Sequence, residues 1–224
     1  MGSNDAARLK VERDAMVSTQ IEARGITDSL VLQAMRDVPR ELFVPASMVD
    51  CAYEDRPLPI GVGQTISQPY IVAAMIAAAG LRPGARVLEV GTGSGYGAAV
   101  LSRIAAEVYT IERLGSLATS ARARLARMGY ANVHVQEGDG SLGWPAHAPY
   151  DAILVAASGP RAPRTLRQQL AVGGRLVMPV GSALAQRLVR VTRTGADAYE
   201  YETLDSVTFV PLIGAEGWRD EARG

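Results

Sequence analysis

A short apolar run, Val87-Leu88-Glu89-Val90, is followed at once by three glycines in five residues, Gly91-Thr92-Gly93-Ser94-Gly95, and then by a helical pattern that reaches Ile104. That order reads as a strand, Arg86 to Val90, turning sharply into a helix from Gly95. Small residues at such a turn let a ligand approach the backbone while the helix N-terminus faces it. The alternation continues: Glu107 to Ile111 reads as a strand, Leu114 to Met128 as a helix ended by Gly129, and Val133 to Gln136, Asp151 to Ala156 and Arg175 to Pro179 as strands. Strands joined by helical crossovers run parallel. The last two, Arg187 to Thr192 and Thr203 to Val210, are separated by Thr194-Gly195-Ala196-Asp197 and read as an antiparallel hairpin. The predicted fold class is α/β, a doubly wound sheet with an antiparallel edge and an N-terminal helical extension.

In that extension Met16, Val17 and Ile21, then Leu30, Val31, Ala34, Met35 and Val38, recur at helical spacing, with Asp28 as an N-cap and Pro39 as a stop. Phe43 to Pro69 carries Pro45, Pro57, Pro59, Gly61, Gly63 and Pro69, and is expected to be mostly irregular. Ordered loops of that length are often functional. The polar leader through Lys10 is expected to be unordered.

Composition removes several chemistries. Lys+Arg and Asp+Glu are 23 each, so there is no net field to gather nucleic acid or an anionic membrane, and neither partner is expected. Cys51 is the only cysteine, which rules out a disulfide framework and fits a reducing cytoplasm. The N-terminus lacks an apolar signal core, and Ile71 to Ala79 is too short to span a bilayer. The sole lysine, Lys10, lies in the leader, so neither a phosphate-loop nor a Schiff-base lysine is expected. His134 and His147 form no His-Glu-x-x-His pair and read as structural or exposed, no serine sits in a Gly-x-Ser-x-Gly elbow, and no metal site is expected.

The glycine segment alone is a weak signal, and Glu112 strengthens it. It ends the next strand, where an acid can accept hydrogen bonds from both hydroxyls of a ribose. A nicotinamide dinucleotide is the first competitor, because Gly93-x-Gly95-x-x-Ala98 meets the dinucleotide fingerprint. Read from the strand end at Val90, however, the pattern puts bulky Tyr96 where the third glycine belongs. Glu89 would also sit poorly beside a pyrophosphate, whereas it suits a cation. S-adenosyl-L-methionine is a cation without phosphate.

The run from Glu89 through Gly91, Gly93 and Gly95, the acid Glu112 and the later Gly138-Asp139-Gly140 resemble the Rossmann-like S-adenosylmethionine methyltransferases. The resemblance implies that Asp139 and Gly140 bind near the adenine; taken alone, an aspartate between two glycines also reads as a simple turn. Upstream lies Gly63-Gln64-Thr65-Ile66-Ser67-Gln68-Pro69-Tyr70. With this loop, and with Val38 to Pro45, Ala52 to Gly61 and Phe209-Val210-Pro211-Leu212, the chain resembles the protein-L-isoaspartate O-methyltransferases almost end to end. One departure is Gly97, where bacterial members carry glutamine; it removes a polar side chain beside the cofactor and costs helix propensity.

That resemblance implies repair of isoaspartyl residues in damaged proteins and peptides. The free α-carboxylate is methylated, and the ester cyclises to a succinimide that water opens partly to normal aspartyl. It also implies that Ser67 is the catalytic residue, donating to the acceptor carboxylate, that Gln64, Thr65 and Ile66 line the cofactor, and that Pro211 and Leu212 shape the peptide site. From spacing alone Ser67 fits better as a cap for the helix starting near Pro69, an order that the resemblance reverses, and Tyr53 and Tyr70 fit the core better than a groove wall. The expected organisation is one methyltransferase domain, 1–224, a monomer: 1–62 an N-terminal helical extension and loop, 63–193 a cofactor-binding core, 194–224 a C-terminal strand and substrate-side segment. Two alternatives keep the fold: an enzyme acting on aspartate in a dedicated biosynthetic peptide, which lacks the expected extra recognition domain, and an idle cofactor-binding module, against which Ser67 and Glu89 speak.

Overall fold

The computed structural model describes residues 3–182 and 184–219. Seven strands form the central sheet in the order β5-β4-β3-β6-β7-β8-β9: β3 Arg86–Val90, β4 Glu107–Glu112, β5 Val133–Glu137, β6 Tyr150–Val155, β7 Leu170–Gly181, β8 Gln186–Arg193 and β9 Tyr199–Val207. The first five run parallel, and β8 and β9 are antiparallel. Side chains alternate across each strand, and both faces are covered. Val87, Val108, Ala152 and Val177 enter one core with the N-terminal helices, whereas Leu88, Tyr109, Ile153 and Leu176 enter a second on the opposite face. Strand order reverses between β3 and β6, which opens a crevice at their carboxyl ends.

The helices are α1 Ser3–Met16, α2 Ser29–Asp37, α3 Pro69–Ala79, α4 Tyr96–Leu101, α5 Gly115–Arg127 and α6 Arg164–Gln168. Asp28 caps α2 as expected, accepting from the Leu30 amide at 2.9 Å, and α2 ends before Pro39. The leader departs from expectation. From Ser3 it is helical, because Leu9 anchors it in the core and Arg8–Glu12 and Lys10–Asp14 pair along its surface. Residues 1 and 2 lie outside the described residues.

A 3₁₀ turn at Arg40–Phe43 leads into the stretch read as irregular, which contains a second at Ala46–Cys51 and a small hairpin, β1 Leu58–Gly61 with β2 Gln64–Ile66. Val62, at the hairpin tip, has φ 46°. The last strand starts at Tyr199 rather than Thr203 and stops at Val207, leaving 208–218 as a strap across the end of the sheet. No helix among the described residues is long and apolar enough to cross a membrane.

Candidate active site

A cleft of about 1150 Å³, including its open mouth, occupies the crevice at the carboxyl ends of β3, β4 and β6. Its floor is the glycine turn. Gly91 and Gly95 have φ 96° and 91°, a region L side chains rarely enter, and Gly95 N-caps α4. The turn's amides face inward to protein acceptors: Gly91 and Thr92 donate to Ile111 O at 2.8 and 3.3 Å, Gly93 to Glu112 Oε2 at 2.9 Å and Gly95 to Thr92 O at 2.8 Å. A loop built to grip phosphate would leave such amides open. Here Gly91, Thr92, Gly93 and Gly95 have used theirs.

Glu89 supplies the charge instead. It is 6% exposed, its Oε2 accepts from Thr110 Oγ1 at 2.6 Å, and Thr110 lies 2.7 Å from Thr92 Oγ1. Its Oε1 accepts no hydrogen bond among the described residues and lies against Gly97, where a Cβ would overlap it. Burial pushes the carboxyl up to about 8, with the Thr110 bond opposing and nearby Glu112 adding to the rise. A buried acid with one open oxygen beside a cleft lined by Met75, Ile76 and Leu101 suits a cation with an apolar body. Gly97 thus does more than remove a polar group. Its missing side chain is the space that Glu89 occupies.

Of the residues singled out from sequence, Gln64, Thr65, Ile66 and Ser67 form one wall, and Glu89, Gly91, Gly93 and Glu112 the floor and far side. Gly140, Pro211 and Leu212 also line the cleft. Glu112 holds the Gly93 and Leu114 amides at 2.9 and 3.0 Å, and a carboxylate so engaged keeps further lone pairs for ligand hydroxyls. Gly95 does not reach the cleft; a Cβ there would press on Leu125 of α5 at 3.2 Å, so its part is the turn and helix packing. Asp139 is also outside the lining. Its Oδ1 accepts from the Ser141 amide at 2.9 Å and the Ser141 hydroxyl at 2.7 Å, and its Oδ2 from the Ala215 amide at 2.7 Å, so the carboxylate anchors the strap. Ser67 is not a helix cap. Gln68 occupies the N-cap of α3, no side chain caps it, and the Ser67 hydroxyl has no hydrogen-bond partner among the described residues. Tyr53 is core, donating to buried Glu41, and Tyr70 lies half-buried beneath Arg24.

Sequence reading missed Thr110 and the strap's fastenings. Thr110 sits beside Glu89 in the parallel register, a polar pair on adjacent strands that only the pairing reveals. Trp218 Nε1 donates to Ser158 O at 2.9 Å, Ser158 exchanges backbone bonds with Val210 and Leu212, and Glu216 accepts from the Thr165 amide and hydroxyl.

The model of the protein-L-isoaspartate(D-aspartate) O-methyltransferase family matches residues 11–217. The chain belongs to that family. It is 62% identical over 98% of its length to protein-L-isoaspartate O-methyltransferase 1 of Rhodopseudomonas palustris strain HaA2, covering 90% of that protein. It is 61% identical over 92% of its length to the Pelobacter propionicus protein-L-isoaspartate O-methyltransferase 2, covering 92% of it. Among solved structures, a protein-L-isoaspartate O-methyltransferase superposes with TM-score 0.82 at 30% identity, over 92% of this chain and 67% of that one. The putative Plasmodium falciparum enzyme, solved with S-adenosyl-L-homocysteine, gives 0.78 at 25% identity over 90% of this chain and 98% of that one. The protein is an S-adenosylmethionine-dependent methyltransferase of isoaspartyl residues, acting in protein repair. The cleft fits that donor: a buried acid for its positive charge and an acid on β4 for its ribose.

Proposed function

We propose that Ser67 is the residue that places the acceptor for methyl transfer, with Glu89 and Glu112 holding the donor opposite it. The observation that carries this is the unpartnered Ser67 hydroxyl, in the same cleft as the open oxygen of Glu89. Bound S-adenosylmethionine supplies a methyl group made electrophilic by the sulfonium that carries it.

An α-carboxylate has a reference pKa of about 4 and is ionised at neutral pH, so the chain needs no strong base. Its two histidines lie elsewhere, His134 against Glu107 and His147 stacked on Tyr109. What the chain contributes is orientation: the Ser67 hydroxyl donates to one carboxylate oxygen and leaves the other to attack. Such alignment is worth at most roughly 7–11 kcal/mol. Gln64, Thr65 and Ile66 carry the donor side of that wall, Gly140 the adenine side, and Pro211 and Leu212 the flanking peptide. The attacking group stays on the substrate, so Ser67 forms no covalent intermediate.

The chain works in this reading as one unit, a cytoplasmic monomer that recognises isoaspartyl linkages by backbone shape and binds neither nucleic acid nor membrane. Ser67→Ala tests the site. Turnover is expected to fall by about a hundredfold, with affinity for S-adenosylhomocysteine near normal. Wild-type turnover in that variant removes Ser67 from the reaction.

A further inference from the structure

The loop that carries Ser67 is fastened from outside the cleft, and Asp55 stands at the centre of the fastening. Its Oδ2 accepts from the Arg24 guanidinium at 2.7 Å, and its backbone oxygen accepts from Gln68 Nε2 at 3.1 Å. The same Arg24 guanidinium lies 3.4 Å from the centroid of the Tyr70 ring. Gln68 and Tyr70 follow Ser67 in the chain, so one ion pair secures the backbone just beyond the hydroxyl.

The other oxygen of Asp55, Oδ1, is buried without a hydrogen-bond partner. So are both terminal nitrogens of Arg40, a residue with no exposed surface whose Nε donates to Ala52 O at 2.8 Å. Unpartnered buried groups of opposite charge require an explanation, because leaving them so is unfavourable. The Arg40 guanidinium lies 4.9 Å from the centroid of the Tyr96 ring, whose π face gives it a partner. Tyr96 opens α4 and lines the cleft. Arg40 thus packs against the helix that opens the donor site, and Asp55 against the residue that follows Ser67.

We propose that Asp55 is a positioning residue for methyl transfer: through Arg24, and through its own backbone oxygen on Gln68, it fixes the Ser67 loop. The proposal rests on Ser67 holding the acceptor carboxylate. A partly exposed ion pair adds little to folding by itself. Its effect falls on alignment, where a displacement of about 1 Å costs up to about a hundredfold in rate.

Asp55→Asn keeps the shape and the backbone oxygen and removes the charge; Arg24→Gln removes the partner at a half-exposed site where folding is not at risk. Both are expected to lower kcat by about tenfold or more. Both should also weaken isoaspartyl-peptide binding to the S-adenosylhomocysteine complex, measured calorimetrically, while affinity for S-adenosylhomocysteine itself stays within about twofold. In a Ser67→Ala background Asp55→Asn should add less than about twofold, because both changes act through one hydroxyl.

Asp55→Asn and Arg24→Gln at wild-type kcat, with Ser67→Ala slow, overturn the role of Asp55 and leave Ser67 in place. The same loss with and without Ser67 overturns it too, as does a loss matched by a fall in the folded fraction. Wild-type turnover of Ser67→Ala overturns the parent reading instead.

Discussion

Glu89 is the residue whose environment most sharply limits what the cleft can hold. Buried, bonded only through Thr110 and lifted to about 8, it keeps its proton in the free protein at neutral pH. Meeting a cation requires the carboxylate, so cofactor binding releases that proton. Affinity should therefore rise with pH between about 6 and 8 and level off above. The sign for folding is the reverse: the neutral form's contribution is complete below the ordinary carboxyl value of 4.5 and is lost as pH rises through about 8. Titration calorimetry of S-adenosylmethionine in two buffers of different ionisation enthalpy measures the proton directly. Release in the wild type and none in Glu89→Gln is the expected pair; equal release in both contradicts this account. At this scale the sequence was legible for residues that the fold brings to the cleft, such as Glu89, Glu112 and Ser67. It was illegible where contact decides, as at Gly97, which accommodates Glu89, and at Asp139, whose carboxylate turns to the strap.

Among the elements, the strap 208–218 and the β1–β2 hairpin both line the cleft, and in the proposed reading they face the peptide and the acceptor. The strap is held at three points, by Asp139 and Ser141, by Thr165 through Glu216, and by Ser158 through Trp218. Glu216 sits below the usual carboxylate range because bonds from Thr165 and the charge of Arg161 outweigh its burial. Glu216→Ala removes one fastening without touching the donor. KM for an isoaspartyl peptide should rise about tenfold, with cofactor affinity unchanged; a change confined to cofactor affinity contradicts the strap's assignment to the peptide. Pro211 and Leu212 were identifiable by family resemblance, but Glu216 and Trp218 gave no sequence signal, since their partners lie more than fifty residues away. The hairpin was equally obscure. Its strands are four and three residues long, contain Pro59 and Gly61, and turn at Val62, so no alternation of any length announces them.

Across the whole molecule, the sheet follows from the alternation of apolar runs and helices, and the crevice follows from the reversal of strand order between β3 and β6. That much could be read because parallel strands need long apolar segments and helical crossovers, both of which leave strong patterns. Short elements such as α6, and the polar, surface-paired α1, left weak ones. In the proposed reading the sheet builds the donor site, and segments from both ends of the chain build the acceptor site. The proposed specificity is for a linkage rather than a sequence. Its most direct test offers the purified protein methyl-labelled S-adenosylmethionine and two peptides identical except that one carries isoaspartyl and the other aspartyl at a single position. The account predicts a labelled methyl ester on the isoaspartyl peptide and none on its partner; equal labelling of both, or of neither, would contradict it.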